Sequence, residues 1–309
     1  MQIEVLESSW DACRLLDSGN RRKLEQFGSV RIVRSEPKAW WRPALPAAEW
    51  AKAVATHEDD AREGRWRLTG DAPREWEVAL PLAGTAAGGA SAAKKLRLQL
   101  RFTDNSKQVG VFPEQSPHWA TLAATAGAGG RLLNLFGYTG TASLAAAAAG
   151  WRVTHVDASK PAIAWGRRNQ ELSRLGDAPI RWLVEDAPTF VRREARRGNR
   201  YDALILDPPA FGRGPTGELW KIERDLPPLL DACREILSER PRLILLTVYT
   251  IDASSLLCRN LLEQLTAGFS GTGTGTGTAG GALAFGELAL RDLAGRLLSL
   301  SLWGRWTAA

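Results

Sequence analysis

The sequence predicts an α/β protein: a mostly parallel sheet with helices on both faces, preceded by a smaller β-rich region. Two stretches and the segment between them predict this. Arg131–Asp157, RLLNLFGYTGTASLAAAAAGWRVTHVD, reads as strand, glycine turn, helix and strand, and a crossover of that length joins parallel strands. Tyr201–Phe211, YDALILDPPAF, is a buried-strand pattern halted by two prolines, which remove backbone donors and stiffen the loop. Between them Ile180–Val184 is a third apolar run, ending at Glu185-Asp186. Successive strands thus end in Asp157, Asp186 and Asp207. Open parallel sheets bind ligands beyond the carboxyl ends of their strands. Packing gives no reason for acids at three equivalent strand ends, and they suit a ligand rich in hydroxyl, amine or ammonium groups. The glycine turn by itself also fits ordinary βα packing.

In chain order, residues 1–106 read as a separate domain with strand candidates at Ile3–Glu7, Val30–Arg34, Arg65–Thr69, Glu75–Leu80 and Leu96–Phe102. Asp17-Ser18-Gly19-Asn20 is turn-rich, and Ala83–Ala93, AGTAAGGASAA, has the composition of a flexible surface loop. Trp10, Trp40, Trp41, Trp50, Trp66, Trp76 and Trp119 make this part of the chain aromatic. Tryptophans beside arginines can stack on unpaired bases; they also serve as seams between strands. Residues 107–309 form the second domain. Ser159 caps a helix with Pro161 in its first turn, running through Asn169 to about Leu175. A helix over Ala187–Arg197, another over Glu218–Leu237, a fifth strand at Leu243–Tyr249 and a helix over Ala253–Leu265 capped by Asp252 follow. Ser270–Thr278, SGTGTGTGT, has linker composition. Leu288–Leu290 and Leu297–Trp303 read as a closing antiparallel hairpin.

Composition narrows the class. Hydrophobic residues at 44% and charged residues at 24% are those of a soluble globule. No uncharged apolar run approaches the roughly 20 residues of a membrane span, and MQIEVLESSW lacks the pattern of a secretory signal. Cys13, Cys233 and Cys258 are scattered without a CxxC pair, which argues against a metal site and for reduced thiols in the cytoplasm. The net charge of +6 suits an anionic partner. Arg167, Arg168, Arg174, Arg181, Arg192, Arg193, Arg196, Arg197 and Arg200 cluster in one segment. They read either as solvated helix faces or as a phosphate-binding surface. Nothing in the sequence assigns an oligomeric state.

The segments GVFPEQSPHW (Gly110–Trp119), LLNLFGYTG, VTHVDAS, the helix with Asn169, VEDA and LDPPAFGRG resemble the class I S-adenosylmethionine-dependent methyltransferases. The resemblance is closest to bacterial large-subunit ribosomal RNA methyltransferases of cytosine-C5 and guanine-N7 type. It covers roughly residues 110–249. It implies a Rossmann-like, seven-stranded, mostly parallel sheet ending in an antiparallel hairpin, with S-adenosylmethionine as cofactor and RNA as partner. It also implies a division of labour among the residues. Glu114 and Gln115 close over the cofactor, and Asn134, Phe136, Gly137, Thr139 and Gly140 line its methionine part. Asp157, with Ala158 and Ser159, holds the ribose, and Glu185, Asp186 and Ala187 meet the adenine. Asn169 also binds the cofactor, and Asp207, Pro208, Pro209 and Phe211 stand at the transfer point. The arginine the family often carries after the acid–Gln pair is absent, since Ser116, Pro117 and His118 follow; His118 beside Trp119 reads as structural.

The reaction is constrained by one missing group. Methylating cytosine C5 requires a transient nucleophile, normally cysteine, which the family places at the end of the fifth strand. Here that place reads Thr247-Val248-Tyr249. A nitrogen with its own lone pair needs only alignment, so a ring or amine nitrogen is the expected target. Ala210 departs from the aromatic residue that exocyclic-amine enzymes carry after the two prolines. Phe211 suits either an extruded base or a loop plug, and Lys221 either the pocket or solvent. The alternatives are a small-molecule or protein methyltransferase and a non-catalytic RNA-binding or assembly factor retaining the fold.

Overall fold

The computed structural model describes residues 2–58, 64–82, 95–104, 106–126, 129–249, 251–269 and 281–308. The predicted loops at Ala83–Ala93 and Ser270–Thr278 lie outside them. β1 (Glu4–Glu7) is followed by a five-stranded sheet of β2 (Cys13–Gly19), β3 (Arg22–Phe27), β4 (Val30–Ser35), β5 (Ala55–Glu58) and β6 (Arg65–Leu68), with α1 (Ala47–Trp50) between β4 and β5. A hairpin of β7 (Glu75–Pro81) and β8 (Lys95–Arg101) leads to α2 (Ser116–Ala124). The alternation then runs β9 (Arg131–Leu135), α3 (Thr141–Ala148), β10 (Arg152–Asp157), α4 (Lys160–Leu172), β11 (Ile180–Val184), α5 (Ala187–Arg196) and β12 (Ala203–Leu206). The short β13 (Phe211–Arg213) and β14 (Leu219–Lys221), α6 (Ile222–Glu235), β15 (Leu243–Tyr249), α7 (Leu256–Thr266), β16 (Gly281–Arg291) and β17 (Leu297–Ala308) complete the described chain.

The main sheet has the order β1-β16-β17-β15-β12-β9-β10-β11. β15, β12, β9, β10 and β11 are parallel, whereas β17 is antiparallel to both β15 and β16. These are the seven expected strands, with β1 added at the edge, parallel to β16. The first strand candidate therefore lies in the main sheet and not with the N-terminal strands. Strand periodicity explains the two apolar faces. Leu132, Val153, Ala203, Ile205, Leu243 and Leu245 point to one side and join the N-terminal strands in a single cluster with Phe27, Leu96, Leu98 and Leu100. Leu133, Leu135, Val156, Leu204, Leu206, Ile244 and Leu246 point to the other and meet α5, α6 and α7. Strands buried on both faces read as continuous apolar runs, which is why the sequence located them.

Several boundaries differ from the sequence reading. The helix read from Glu218 begins at Ile222, because β13 and β14 pair as a hairpin after the prolines. Asp252 does not cap α7; that helix starts at Leu256, whose N–H is met by Ser254 Oγ at 3.3 Å. The strands β2, β3 and β5 escaped notice because their interiors are polar: Asp17, Ser18, Lys23, Glu25 and His57 are all buried. The stretch Asp17–Asn20 ends β2 and enters a tight turn with Asn20 and Arg21 in the left-handed region. Most N-terminal tryptophans prove to be seams. Trp10 Nε1 donates to Ala79 O, Trp66 Nε1 to Ser106 O and Trp76 Nε1 to Phe27 O, all within 3.0 Å. Trp40, at 77% exposure, is the exception.

The buried charges of this region form one network. Arg34 donates to both carboxylate oxygens of Glu25 at 2.7 Å, Lys23 lies 3.3 Å from the same carboxylate, and Arg34 Nη1 reaches Gln108 Oε1 at 2.7 Å. Removing one partner of a buried pair strands the other charge at a cost of about 3–5 kcal/mol. Arg34→Met is therefore expected to lower the unfolding free energy by about 3 kcal/mol or more. Adding Glu25→Gln should restore part of it, as read by urea denaturation of both variants.

Candidate active site

The loop after β9 is strained in a defined way. Phe136 (φ 59°) and Tyr138 (φ 50°) both occupy the left-handed region, as does Gly140 (φ 83°). Side chains with a Cβ lose about 1–2 kcal/mol each there, so contacts must hold the loop in place. Asp157 Oδ2 accepts from Tyr138 N at 2.8 Å, and Gly137 N donates to Val156 O at 3.2 Å. Thr139 Oγ1 donates to Gly110 O at 2.6 Å, and Asn169 Nδ2 donates to Thr139 O at 3.1 Å. The two glycines answer to packing: a Cβ on Gly137 would overlap the His155 ring, and one on Gly140 the Trp182 ring. Their role is thus to let the loop fold back over β10 and β11, which turns Phe136 and Tyr138 toward the strand ends.

The strand-end acids converge on one cleft, each held differently. Asp157 Oδ1 also accepts from Ser159 N at 2.8 Å. Burial raises its pKa above the usual carboxylate range, against the pull of these two amides. Asp186 caps α5, accepting from Thr189 N at 2.9 Å. Glu185 is engaged by both terminal nitrogens of Arg193. Asp207 is half-buried; Oδ1 accepts from Thr247 Oγ1, and Oδ2 lies 3.5 Å from Gln115 Nε2. Gln115 Nε2 also sits 2.9 Å from Tyr249 Oη. Burial, helped by the nearby charge of Glu114 and opposed by Thr247, pushes the Asp207 carboxyl up to about 7.

Two connected spaces lie around these groups. An outer cleft of about 470 Å³ runs along Phe136, Asp157, Ala158, Ser159, Glu185, Asp186, Ala187, Asp207, Pro208 and Pro209. An inner recess with a cavity volume of about 60 Å³ is bounded by Gln115, Asn134, Gly137, Thr139, Thr247 and His118. Phe112, Phe136, Tyr138 and Asp207 border both. Glu114, Gly140, Asn169 and Phe211 border neither. Glu114 is buried beside the charges of Lys23 and Arg34. Asn169 is occupied by Thr139 O and by Gln99 N, from which its Oδ1 accepts at 2.9 Å. Phe211 is 68% exposed on the β13–β14 hairpin. Phe112, Tyr138, Thr247, Tyr249 and Trp220 line the site without having been singled out as binding residues. Tyr138 sits inside the glycine turn and Thr247 and Tyr249 close the fifth strand, so position alone was a usable signal. Cys13, Cys233 and Cys258 are buried and line neither space. Among the described residues no His, Cys, Asp and Glu are grouped to hold a metal, and no helix is long and apolar enough to cross a membrane.

A nucleoside carrying an amino-acid tail fits this donor set. Carboxylates at the cleft can accept from hydroxyls and an amine, and the buried Asn134 Oδ1 is left without a hydrogen-bond partner in the recess. The sequence profile of the S-adenosylmethionine-dependent methyltransferases matches residues 44–241. The chain belongs to this family. A crystal structure of an S-adenosylmethionine-dependent methyltransferase from Agrobacterium tumefaciens is 45% identical and superimposes with a TM-score of 0.86, over 98% of this chain and 93% of that one. A putative methyltransferase from Streptococcus mutans shares the fold at 17% identity, with a TM-score of 0.69 over 97% and 76%. Among curated relatives, ribosomal RNA large subunit methyltransferase K/L of Stutzerimonas stutzeri is 34% identical over 56% of this methyltransferase. That match spans 23% of the relative's own length. Methyltransferase K of Neisseria meningitidis is 29% identical over 71% of this chain and 61% of its own.

Because the Asp207 pKa is raised above its ordinary 3.8 to about 7, the native protein binds that proton more tightly than the unfolded chain. The resulting stability is complete below about pH 4 and is lost as pH rises through about 7. Asp207→Asn keeps the shape and removes the titration. The melting temperature of the wild type relative to this variant should therefore fall between about pH 5 and pH 8, as read by thermal unfolding across that range.

Proposed function

We propose that this methyltransferase transfers the methyl group of S-adenosylmethionine to a ring or amine nitrogen of a nucleobase in ribosomal RNA, a reaction carried out in the cytoplasm. The observation that carries this reading is the single cleft lined by three strand-end carboxylates and the proline corner, with Asp207 at its junction with the recess and no thiol beside them. The RNA target is supported by the names of the ribosomal RNA methyltransferases it resembles. Residues 1–106 are then the part that faces the substrate and 107–309 the part that transfers the methyl group.

The cofactor supplies an activated methyl on a cationic sulfur. The protein's share is alignment and exclusion of water. Asp157 has already committed one lone pair on each oxygen to Tyr138 N and Ser159 N, and each oxygen retains another for a ribose hydroxyl. Glu185, Asp186 and Ala187 form the adenine end. Pro209 O is held by Trp220 Nε1 at 2.7 Å, which fixes the corner and leaves Asp207 and Pro208 carbonyls for the target. Asp207, near neutrality, can hold the proton that an amine releases. Thr247 at the end of β15 is tied to Asp207, so the site offers no nucleophile for a covalent route to cytosine C5.

The arginine cluster contributes less than its sequence promised. Arg193 is paired with Glu185, Arg197 lies 3.6 Å from Glu194 and Arg168 lies 3.2 Å from Glu171. Phosphate contact falls instead to members such as Arg192 and Arg196.

Two measurements bear on this. Asp157→Ala should weaken S-adenosylmethionine binding about tenfold or more, since a charge-assisted hydrogen bond contributes roughly 1.5–3 kcal/mol; unchanged affinity in calorimetry removes Asp157 from the site. On ribosomal RNA containing 5-fluorocytosine, no covalent adduct should form. Turnover should survive Cys→Ala at residues 13, 233 and 258 within a fewfold and fall roughly 10²-fold in Asp207→Ala. An adduct that vanishes with one cysteine restores C5 chemistry, and an RNA left unmethylated by the wild type overturns the substrate.

A further inference from the structure

We propose that His118 anchors the carboxylate of the cofactor's amino-acid tail inside the recess, a role that rests on the S-adenosylmethionine reading above. His118 lies on α2, is 3% exposed, and neither ring nitrogen has a hydrogen-bond partner among the described residues. Each buried polar atom left unpaired costs about 1–3 kcal/mol. A phenylalanine or leucine would fill the same space against the Trp303 ring, 5.4 Å away, without that cost. An imidazole kept at such a position points to a ligand that pairs with it.

The recess that His118 borders is apolar along Val111, Leu122, Ile205 and Leu245, and polar at a few points. Those points divide by chemistry. Asn134, 1% exposed, gives its Nδ2 to Ser143 Oγ at 2.9 Å and leaves Oδ1 unpaired, so it accepts. The Asp207 carboxylate is a second acceptor. Gln115 Nε2 is already taken up by Tyr249 and Thr247, which leaves the imidazole N–H as the donor. An α-amino acid head carries the complementary pair, an ammonium that donates and a carboxylate that accepts. The recess meets the outer cleft at Phe112, Phe136, Tyr138 and Asp207, so a nucleoside held by Asp157 and Asp186 would extend its tail through that opening. Burial first, and then the positive charge of Arg305, hold the imidazole at about 3. It is therefore neutral at physiological pH with one nitrogen donating, and the Arg305 charge favours an anion beside it.

The experiment is calorimetry with three ligands: S-adenosylhomocysteine, 5′-methylthioadenosine, which has the nucleoside without the tail, and decarboxylated S-adenosylmethionine, which keeps the amine. His118→Phe should weaken S-adenosylhomocysteine about tenfold or more while leaving methylthioadenosine within about twofold. His118→Gln, which retains an N–H donor, should fall between. In the wild type the decarboxylated cofactor should bind about tenfold more weakly than S-adenosylmethionine, and His118→Gln should narrow that gap. Equal losses for S-adenosylhomocysteine and methylthioadenosine, or no loss for either, overturn the assignment and leave the cofactor reading standing. Failure of the wild type to bind any of the three overturns the cofactor reading itself, and this role with it. If His118→Phe does not fold, His118→Gln against the ligand pair decides alone.

Discussion

The carboxylate of Asp157 holds the site together. It receives the amides of Tyr138 and Ser159, one from the loop that follows β9 and one from the turn that opens α4. Two neighbouring parallel strands thereby present their carboxyl ends as a single rigid edge. The strain of Phe136 and Tyr138 in the left-handed region is tolerable only because this bond, the Gly137–Val156 bond and the Thr139 contacts over-determine the loop. Its return is geometric: both aromatic rings stand between the outer cleft and the recess, and Ser159 is freed to cap α4. A carboxylate so placed ties the loop to the turn with one lone pair on each oxygen.

The N-terminal region is joined to this edge by more than a linker. Its strands share one apolar cluster with β9, β10, β12 and β15, and its buried Glu25–Arg34–Lys23 network lies close enough for the charges of Lys23 and Arg34 to act on Glu114. Arg34 also reaches Gln108, at the border of the outer cleft. The segment from Gln108 to Gln115 is consequently clamped from behind, and Gln115 is delivered to Asp207, Thr247 and Tyr249. Desolvation there raises Asp207 toward neutrality. A carboxyl so raised limits the uncompensated charge buried at the cleft.

Local pattern in the sequence determined the parallel core, its helices, the closing hairpin and the line of strand-end acids. Each depends on periodicity or on a residue type at a strand end: apolar runs buried on both faces, Ser159 as a cap, prolines halting β12. Tertiary structure decided the rest, because it depends on partners distant in the chain. The polar strands β2 and β3 exist because Glu25 finds Arg34 and Asp17 is met by Ala44 and Leu45 N–H groups, pairings that no alternation of apolar residues announces. Arg193 and Arg197 of the arginine run became ion pairs once the fold brought Glu185 and Glu194 within reach. At Gly137 and Gly140 the missing Cβ makes room for the rings of His155 and Trp182. Gln115 and His118, three residues apart, came to face one recess with the more distant Asn134 only when the sheet register set Asn134 beside His155 and Ile205 and α2 packed across it. Backbone preference is local and can be read residue by residue, whereas the pairing of buried polar groups is a property of the folded whole.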